Sequence, residues 1–225
     1  MVIGIDGPAG SGKGTITKKV AEQLGLVNID TGAMYRCVAL ASIRNNLSLE
    51  DTDKIIELSK RINIKFDEAR NVFLDNEDVS KEIRSKEVSS IVSQVSGIVK
   101  VREEMVKQQR KLAEGLDVIM EGRDITTIVF PNADFKFYLD ASVEERARRR
   151  FVQNEEAGIE MSLEEIKENI EKRDYNDMHK EVGSLMRTDD QIYIDSTNMS
   201  IDEVVDFIVK TVRGEVKWNI WVMMI

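Results

Sequence analysis

The feature that most constrains this chain is a glycine-rich run near its start, between a predicted strand at Val2–Asp6 and a predicted helix at Lys13–Leu24. Glycines let successive backbone N–H groups point at one anion, and the following helix presents its positive end to the same place. Lys13 adds a mobile cation. The run therefore predicts a phosphate-binding loop in an α/β fold, made of Gly7, Pro8, Ala9, Gly10, Ser11, Gly12, Lys13, Gly14 and Thr15.

The spacing after the lysine departs from the strict P-loop pattern, in which Ser or Thr follows Lys directly. Here Gly14 precedes Thr15. This Gly-Lys-Gly-Thr form resembles the loop of nucleoside monophosphate kinases. The alternative is a glycine-rich turn without a ligand, which the strand–loop–helix setting disfavours. The loop by itself indicates nucleotide phosphate and no particular reaction.

Strand-like apolar runs alternate with helical segments along the chain, which is typical of a mostly parallel sheet covered by helices. The late strands each end in a polar cluster, at the edge where open α/β sheets bind their ligands. Beyond the first strand and helix, the pattern predicts a helix at Met34–Asn45 and strands at Val27–Asp30, Asp117–Met120, Phe135–Leu139 and Gln191–Ile194.

The stretch between residues 62 and 80 interrupts this alternation. Ile62, Ile64 and Phe66 repeat at period two, and Val72–Leu74 resumes the extended pattern after a turn. We expect a small antiparallel hairpin that contacts substrate, with a surface elaboration as the alternative. Helical segments are expected around Lys81–Ile91 and Val101–Glu114. Ser-x-x-Glu capping boxes predict helix starts at Ser142/Glu145, Ser162/Glu165 and Ser200/Glu203.

The charge balance bears on the partners of a phosphate site. The 225-residue chain has a formal net charge of −9, so we expect neither nucleic acid nor a membrane as a partner. Cations that handle phosphate must therefore be concentrated locally. The single cysteine, Cys37, fits a reducing compartment, and Met1 leads directly into a predicted strand. We expect a cytoplasmic protein and a monomer.

Arginines are clustered in separate places along this acidic chain. They are Arg36, Arg123, Arg146, Arg148, Arg149, Arg150 and Arg173. A kinase needs cations on both of the phosphates that approach each other, and a lid that excludes water. Arg146 and Arg150 share a helical face at i,i+4, and Gly158 follows in a segment suited to a mobile lid. The alternative is a solvated helix face paired with glutamates, which the phosphate loop disfavours.

These motifs together resemble the bacterial-type cytidylate kinases over essentially the whole chain. The matching segments are Gly7–Thr15, Asp30–Arg36, Ser93–Val95, Val101–Glu103, Glu121–Asp124, Glu145–Ala147, Arg173–Asp177 and Ile194–Thr197. The resemblance implies transfer of the γ-phosphate of ATP to CMP or dCMP, with Mg²⁺. It also implies a three-layer P-loop fold with a parallel sheet of about five strands, helices on both faces, a small antiparallel monophosphate-binding insert and a helical lid.

The resemblance further implies roles for single residues. Ser93, Arg102 and Asp124 would face the cytosine, since a carboxylate accepts from its exocyclic amine and an arginine donates to its ring acceptors. The other implied contacts are with phosphates and ribose. Thr31, Arg36 and Arg123 would hold the acceptor phosphate; Asp177, with Lys180 nearby, would bind the acceptor ribose; and Lys13, Arg123, Arg146, Arg150 and Arg173 would act on the transferring group.

Glu121 ends a predicted strand where a Walker-B-like carboxylate would lie. Glu121 and Thr15 are therefore the expected Mg²⁺ residues, directly or through water. No general base is assigned, because positioning and charge neutralisation supply most of the catalysis in such kinases.

The chain departs from the family pattern in three places. Lys180 stands where an arginine is usual, so the bidentate fork on phosphate is lost. Gly183-Ser184-Leu185 lacks the usual proline-leucine pair, which predicts weaker ribose or acceptor-phosphate contacts. Thr126 stands where glycine is usual, which predicts a tighter turn.

We expect a core kinase domain at residues 1–58 and 99–217, a monophosphate-binding insert at 59–98 and a lid at 148–178. The sequence does not determine the role of the tail at 218–225. A kinase for AMP, dTMP or a non-nucleotide alcohol is the nearest competing hypothesis, and the implied cytosine contacts argue against it. A nucleotide-responsive binding protein is another, and the acceptor-phosphate cations argue against that.

Overall fold

The computed structural model describes residues 1–67, 71–156 and 158–216, and the tail at 218–225 lies outside the described residues. Five parallel strands form one sheet in the order β2-β6-β1-β7-β8, which confirms the predicted sheet. The strands in the described part of the chain are β1 (Val2–Asp6), β2 (Val27–Asp30), β3 (Ile64–Phe66), β4 (Val72–Leu74), β5 (Glu77–Asp78), β6 (Val118–Gly122), β7 (Phe135–Asp140) and β8 (Ile192–Asp195).

Helices cover both faces of this sheet, as the alternation predicts. Those in the described residues are α1 (Lys13–Leu24), α2 (Thr31–Arg44), α3 (Thr52–Arg61), α4 (Lys86–Val95), α5 (Val99–Ala113), α6 (Val143–Glu156), α7 (Leu163–Met178) and α8 (Ile201–Val212). A 3₁₀ turn at Glu82–Arg84 and a π-helix at Ile125–Val129 complete them. No helix among the residues described combines the length and the apolar character needed to cross a bilayer.

Side chains of the central strands alternate between two apolar cores. On β6, Val118 and Met120 pack with residues of α2 and α5, whereas Ile119 packs with residues of α1 and α8. Ile3 and Ile5 of β1 join the second core. Because successive strand residues point to opposite faces, one short apolar run can hold helices on both sides.

The register of the strands brings their carboxyl ends to one edge. Ile5 of β1 is paired with Glu121 of β6, and Asp30 of β2 is paired with the same glutamate. Asp6 lies beside Gly122. Open α/β sheets bind ligands at this edge.

Two predicted helices differ from the structure by three or more residues at one or both ends. The helix predicted at Met34–Asn45 begins at Thr31, because the Asp30 carboxylate accepts a hydrogen bond from Ala33 N at 2.9 Å and caps it there. The helix predicted around Lys81–Ile91 is divided at Ser85, whose hydroxyl accepts from Val88 N and starts α4.

The predicted capping boxes form completely at Ser162 and Ser200. At Ser142 only half of the box forms. The Ser142 hydroxyl accepts from Glu145 N at 3.2 Å, but the Glu145 carboxylate binds the side chains of Arg148 and Arg149 instead of the serine N–H. Charge-assisted hydrogen bonds to arginine are stronger than the bond to a neutral amide.

The predicted hairpin has a third strand. β3, β4 and β5 form a separate antiparallel sheet, and Asp75 and Asn76 adopt positive φ in the turn that joins β4 to β5. Arg44 at the end of α2 donates to the carboxylates of Glu77 and Glu82, which ties this small sheet to the main core. The domain boundaries given above remain predictions.

Candidate active site

The phosphate loop lies between β1 and α1, as the glycine pattern predicts. A Cβ on Gly7 would lie 2.0 Å from the carbonyl oxygen of Leu139 in β7, so only glycine fits there. Gly12 adopts φ +92° and forms the N-cap of α1. The Lys13 ammonium donates to the carbonyl oxygens of Gly7 and Pro8 at 2.8 and 2.7 Å. The lysine is therefore folded onto the loop that would hold phosphate.

Lys13 and Glu121 share a buried environment at the edge of the sheet. Burial, together with the charge of Arg123, lowers the pKa of Lys13. Burial and the nearby Asp30 carboxylate raise the pKa of Glu121. Burial removes both groups from the water that would otherwise solvate their charges, and their mutual attraction offsets this only in part. An added anion beside Lys13 or cation beside Glu121 would favour its charged form.

The expected metal residues, Thr15 and Glu121, both lie beside Gly14. Thr15 is exposed at the start of α1, and a Cβ on Gly14 would lie 2.8 Å from Glu121 Oε1. Glycine at this position therefore leaves room for the Glu121 carboxylate beside the loop. In the residues described, no three His, Cys, Asp or Glu side chains form a metal-binding cluster. A single carboxylate and a hydroxyl fit a cation that takes most of its ligands from phosphate and water, as Mg²⁺ does.

Arginines from distant parts of the sequence converge near Glu121. Arg36 is half-buried on α2, and burial and the charges of Arg84 and Arg123 lower its pKa. The Arg173 side chain is 46% exposed, and partial desolvation together with the charge of Arg123 lowers its pKa. The arginines repel one another, and a bound anion would offset that repulsion.

Asp177 on α7 lies at the centre of these cations. Its carboxylate accepts from Arg123 Nε at 2.7 Å and from Lys180 Nζ at 2.9 Å, and Arg173 Nε lies 4.0 Å away. Although burial opposes it, the charges of Arg123 and Lys180 lower the pKa of Asp177. Lys180 thus takes part in the network despite its departure from the family pattern, and it also donates to Ser96 Oγ at 3.1 Å.

Arg102 and Asp124 form a bidentate ion pair that is almost fully buried. Arg102 Nη2 lies 2.6 Å from Asp124 Oδ1, and Arg102 Nε lies 2.9 Å from Oδ2, with side chains 4% and 5% exposed. A third donor, Arg102 Nη1, bonds the Ser96 carbonyl at 3.1 Å, and the guanidinium lies over the ring of Tyr35 at 5.3 Å. The structure therefore joins two of the three predicted base-reading residues.

Two neighbours complete this part of the site. Ser93 is half-buried on α4, and its carbonyl oxygen accepts from Ser96 Oγ at 2.9 Å. Gly183 is buried against the ion pair with φ +70°, and a Cβ there would lie 1.8 Å from Arg102 Nε. The departure at Gly183 therefore permits a close approach of backbone to the pair, which the sequence alone did not indicate.

Helix α6 is clamped to the phosphate loop by two arginines. Arg146 is buried, ion-pairs with Asp174 of α7, and donates to the Ala9 carbonyl at 3.0 Å. Arg149 donates to the carbonyl oxygens of Ser11 at 3.3 Å and of Ser196 at 2.6 Å. Arg150, predicted to act together with Arg146, is exposed. The two residues therefore have different surroundings although they share a helical face.

Two further predictions concern Thr31 and Thr126. The Thr31 hydroxyl donates to the Glu121 carbonyl at 2.6 Å, which joins α2 to the end of β6. The sequence predicted a tighter turn at Thr126, and the structure shows no such turn there. Thr126 lies in the π-helix, and its hydroxyl donates to the buried Asp6 carboxylate at 2.7 Å.

Sequence reasoning gave no individual role to five residues that shape the site. They are Asp6, Tyr35, Ser96, Arg149 and Gln191. An acidic residue directly before the phosphate loop was a visible signal for Asp6, and the arginine run was one for Arg149. Tyr35, Ser96 and Gln191 had no individual signal, because their contacts with Arg102, Lys180 and Thr126 respectively join segments far apart in the chain.

The sheet order, the phosphate loop and the arginine-lined cleft define the class of P-loop phosphotransferases. A crystal structure of the protein TT1252 from Thermus thermophilus has a TM-score of 0.50 and 19% sequence identity with this chain. The match covers 97% of this chain and 98% of that one, which supports the fold.

Sequence comparison resolves the class further. The family model described as cytidylate kinase matches residues 3–214. The cytidylate kinase of Caldanaerobacter subterraneus subsp. tengcongensis is 49% identical, over 97% of each chain. That of Caldicellulosiruptor bescii is 49% identical, over 95% of this chain and 98% of the relative. The chain belongs to the cytidylate kinase family, which confirms the predicted resemblance.

Proposed function

We propose that this protein transfers the γ-phosphate of ATP to CMP or dCMP, giving ADP and CDP or dCDP. The observation that carries the proposal is the meeting of three elements at one edge of the sheet. These are a phosphate loop, a separate cluster of arginines, and a buried carboxylate–arginine pair. A kinase of this kind needs one element for each of its donor phosphates, its acceptor phosphate and its acceptor base.

The donor phosphates would bind the loop at residues 7–15. Its N–H groups and the N-terminus of α1 would face the phosphate oxygens, and Lys13 would exchange its carbonyl partners for phosphate. Mg²⁺ would be held by Thr15 and Glu121, directly or through water, and would neutralise charge on the phosphates when bound. Burial and the Asp30 charge raise the pKa of Glu121, and a bound cation would offset both because it favours the ionised carboxylate.

The acceptor phosphate would bind Thr31, Arg36 and Arg123. The lowered pKa of Arg36 reflects burial beside other cations, and an incoming phosphate would offset both. Asp177 would accept hydrogen bonds from the ribose hydroxyls, with Lys180 holding the carboxylate in place. Lys180 provides a charge here without the planar fork of an arginine.

The acceptor base would be read by Ser93, Arg102 and Asp124. The Asp124 carboxylate can accept from the exocyclic amine of cytosine, whereas uracil presents a carbonyl oxygen at that place. An unpaired acceptor against a buried carboxylate is strongly disfavoured, so the pair would discriminate CMP from UMP. Since Gly183 lies against the pair, we infer that the backbone around it moves when a base binds.

The transferring group would be stabilised by Lys13, Arg123, Arg146, Arg150 and Arg173. We further propose that the segment 148–178 acts as the lid and 59–98 as the acceptor-binding insert, within a core formed by residues 1–58 and 99–217. A monomeric state and a cytoplasmic location are also part of this proposal.

A coupled assay of ADP release tests the function directly. The protein is supplied with ATP and Mg²⁺ and, in parallel, with CMP, dCMP, UMP, AMP and dTMP. Preferred turnover of CMP and dCMP is the expected result. Preferred turnover of another acceptor would retain the kinase and refute the base assignment. ATP binding without turnover of any acceptor would refute the kinase and favour a nucleotide-responsive binding protein.

A further inference from the structure

Asp6 is a buried acid that the proposed reaction does not use. It ends β1, directly before the phosphate loop, and it is fully buried. Its carboxylate accepts four hydrogen bonds: from Ile125 N at 2.7 Å, Thr126 N at 2.9 Å, Thr126 Oγ1 at 2.7 Å and, more weakly, Gln191 Nε2 at 3.5 Å. A buried carboxylate needs such donors to offset the loss of water. The three shorter bonds come from the start of the π-helix at Ile125–Val129, and the fourth comes from the residue before β8.

The side chain of Thr126 is fixed by contacts on three sides. Its hydroxyl donates to Asp6 and accepts from Gln191 Nε2 at 2.6 Å. Gln191 in turn accepts from Thr188 N at 2.8 Å, so the chain of hydrogen bonds reaches the residues before β8. The Thr126 methyl group packs on β1, where a Cβ on Gly4 would lie 2.5 Å from it.

Asp124 is the N-cap residue of this π-helix, yet its own side chain does not cap it. An aspartate at an N-cap ordinarily accepts from the first free N–H groups of its helix. Here the Asp124 carboxylate is turned to Arg102, at 2.6 and 2.9 Å. Asp6 accepts from the first two N–H groups of the helix in its place.

We propose that Asp6, held by Thr126 and Gln191, is a positioning residue for acceptor recognition. By capping the helix that follows Asp124, it leaves the Asp124 carboxylate free to pair with Arg102 and to meet the acceptor base. This inference rests on the proposed function, since it assigns Asp124 to the base. It also joins the donor loop to the acceptor site, because Asp6 and Gly7 are adjacent in the chain.

The test compares three threonine variants of the full-length protein. Thr126→Val removes the hydroxyl and keeps the shape, whereas Thr126→Ser keeps the hydroxyl. Thr127→Val is the matched control, because Thr127 Oγ1 is buried without a hydrogen-bond partner in the described structure. The measurements are kcat/KM for CMP and for UMP, the Kd for ATP by calorimetry, and the thermal unfolding midpoint.

We expect Thr126→Val to lower the CMP-to-UMP ratio of kcat/KM by about tenfold, the equivalent of one hydrogen bond to a charged group. The Kd for ATP should stay within about twofold of wild type, on the same hydrogen-bond reasoning, because no loop contact is lost. Thr126→Ser should restore most of the ratio, and Thr127→Val should leave it unchanged. Gln191→Met removes the amide that donates to Thr126 and Asp6 and that accepts from Thr188 N. It should give a smaller loss, because the Thr126 hydroxyl still donates to Asp6, and it serves if Thr126→Val does not fold.

Equal losses with CMP and UMP in Thr126→Val would overturn the positioning role and leave a structural one. So would an unchanged ratio in a folded Thr126→Val or Gln191→Met, or a loss of similar size in Thr127→Val. Failure of the proposed function is seen separately, in the wild-type protein. A wild type that does not prefer CMP and dCMP to UMP would refute the base assignment and the positioning role with it.

Discussion

Replacing Asp124 with alanine should destabilise the folded protein by about 3–5 kcal/mol, because it leaves the Arg102 guanidinium buried without its counter-charge. The magnitude follows from the burial and geometry of the pair, which is bidentate and no more than 5% exposed on either side chain. The hydrogen bond from Arg102 to the Ser96 carbonyl and the contact with the Tyr35 ring survive the change and keep the cost toward the lower end.

The Arg102–Asp124 pair as a whole should contribute far less than this to the stability of the folded protein. Burying two charges costs nearly as much as their attraction returns, so the double replacement Arg102→Met with Asp124→Leu should leave stability within about 1 kcal/mol of wild type. A useful control is the exposed pair of Arg44 and Glu77, whose side chains are 33% and 60% exposed. Glu77→Ala should cost about 1 kcal/mol or less.

Urea denaturation followed by circular dichroism at pH 7 measures the free energy of unfolding of all of these variants. The reasoning fails if Asp124→Ala costs less than about 1 kcal/mol, the level expected of a surface ion pair. It also fails if the double variant loses as much stability as the sum of the losses measured for Arg102→Met alone and Asp124→Leu alone. In the folded fraction, Asp124→Ala should reduce kcat/KM for CMP more than for UMP, and equal reductions would remove Asp124 from base reading.

Three further predictions concern the cleft. Lys13→Met should abolish turnover while the protein stays folded, because burial already lowers the pKa of the ammonium; near-normal ADP release would contradict the loop assignment. Gly183→Ala should cost about 1–2 kcal/mol for its left-handed backbone and, because its Cβ would meet Arg102 Nε at 1.8 Å, should increase hydrogen exchange at residues 181–185. Unchanged exchange there would show that the pair adjusts instead. Asp177 has a lowered pKa, so its contribution to stability is present above the ordinary carboxyl value of 3.8 and is lost as the pH falls below it. Asp177→Asn should therefore lower stability at pH 7 and flatten the acid limb of the unfolding curve; an acid limb as steep as that of wild type would contradict this.

Local chemistry made much of the fold predictable from the sequence. The strand boundaries at Val2–Asp6 and Val27–Asp30 agree with the structure, because apolar β-branched runs bounded by turn residues specify strands locally. The phosphate loop was equally predictable, since its glycines and lysine are consecutive. The capping boxes at Ser162 and Ser200 depend on residues three positions apart and formed as predicted.

What only the tertiary structure decided depends on contacts across the chain. Arg102 and Asp124 are 22 positions apart, and Asp6 and Thr126 are 120 apart. The sequence indicated that Asp124 belongs to the site but not that Asp6 caps the helix in its place. The same is true of Thr126: its position predicted a turn, and burial beside an acid made its hydroxyl a hydrogen-bonding group instead. A side chain's role in a site is set by the partner that the fold brings to it, and a buried polar group must take whichever partner is within reach.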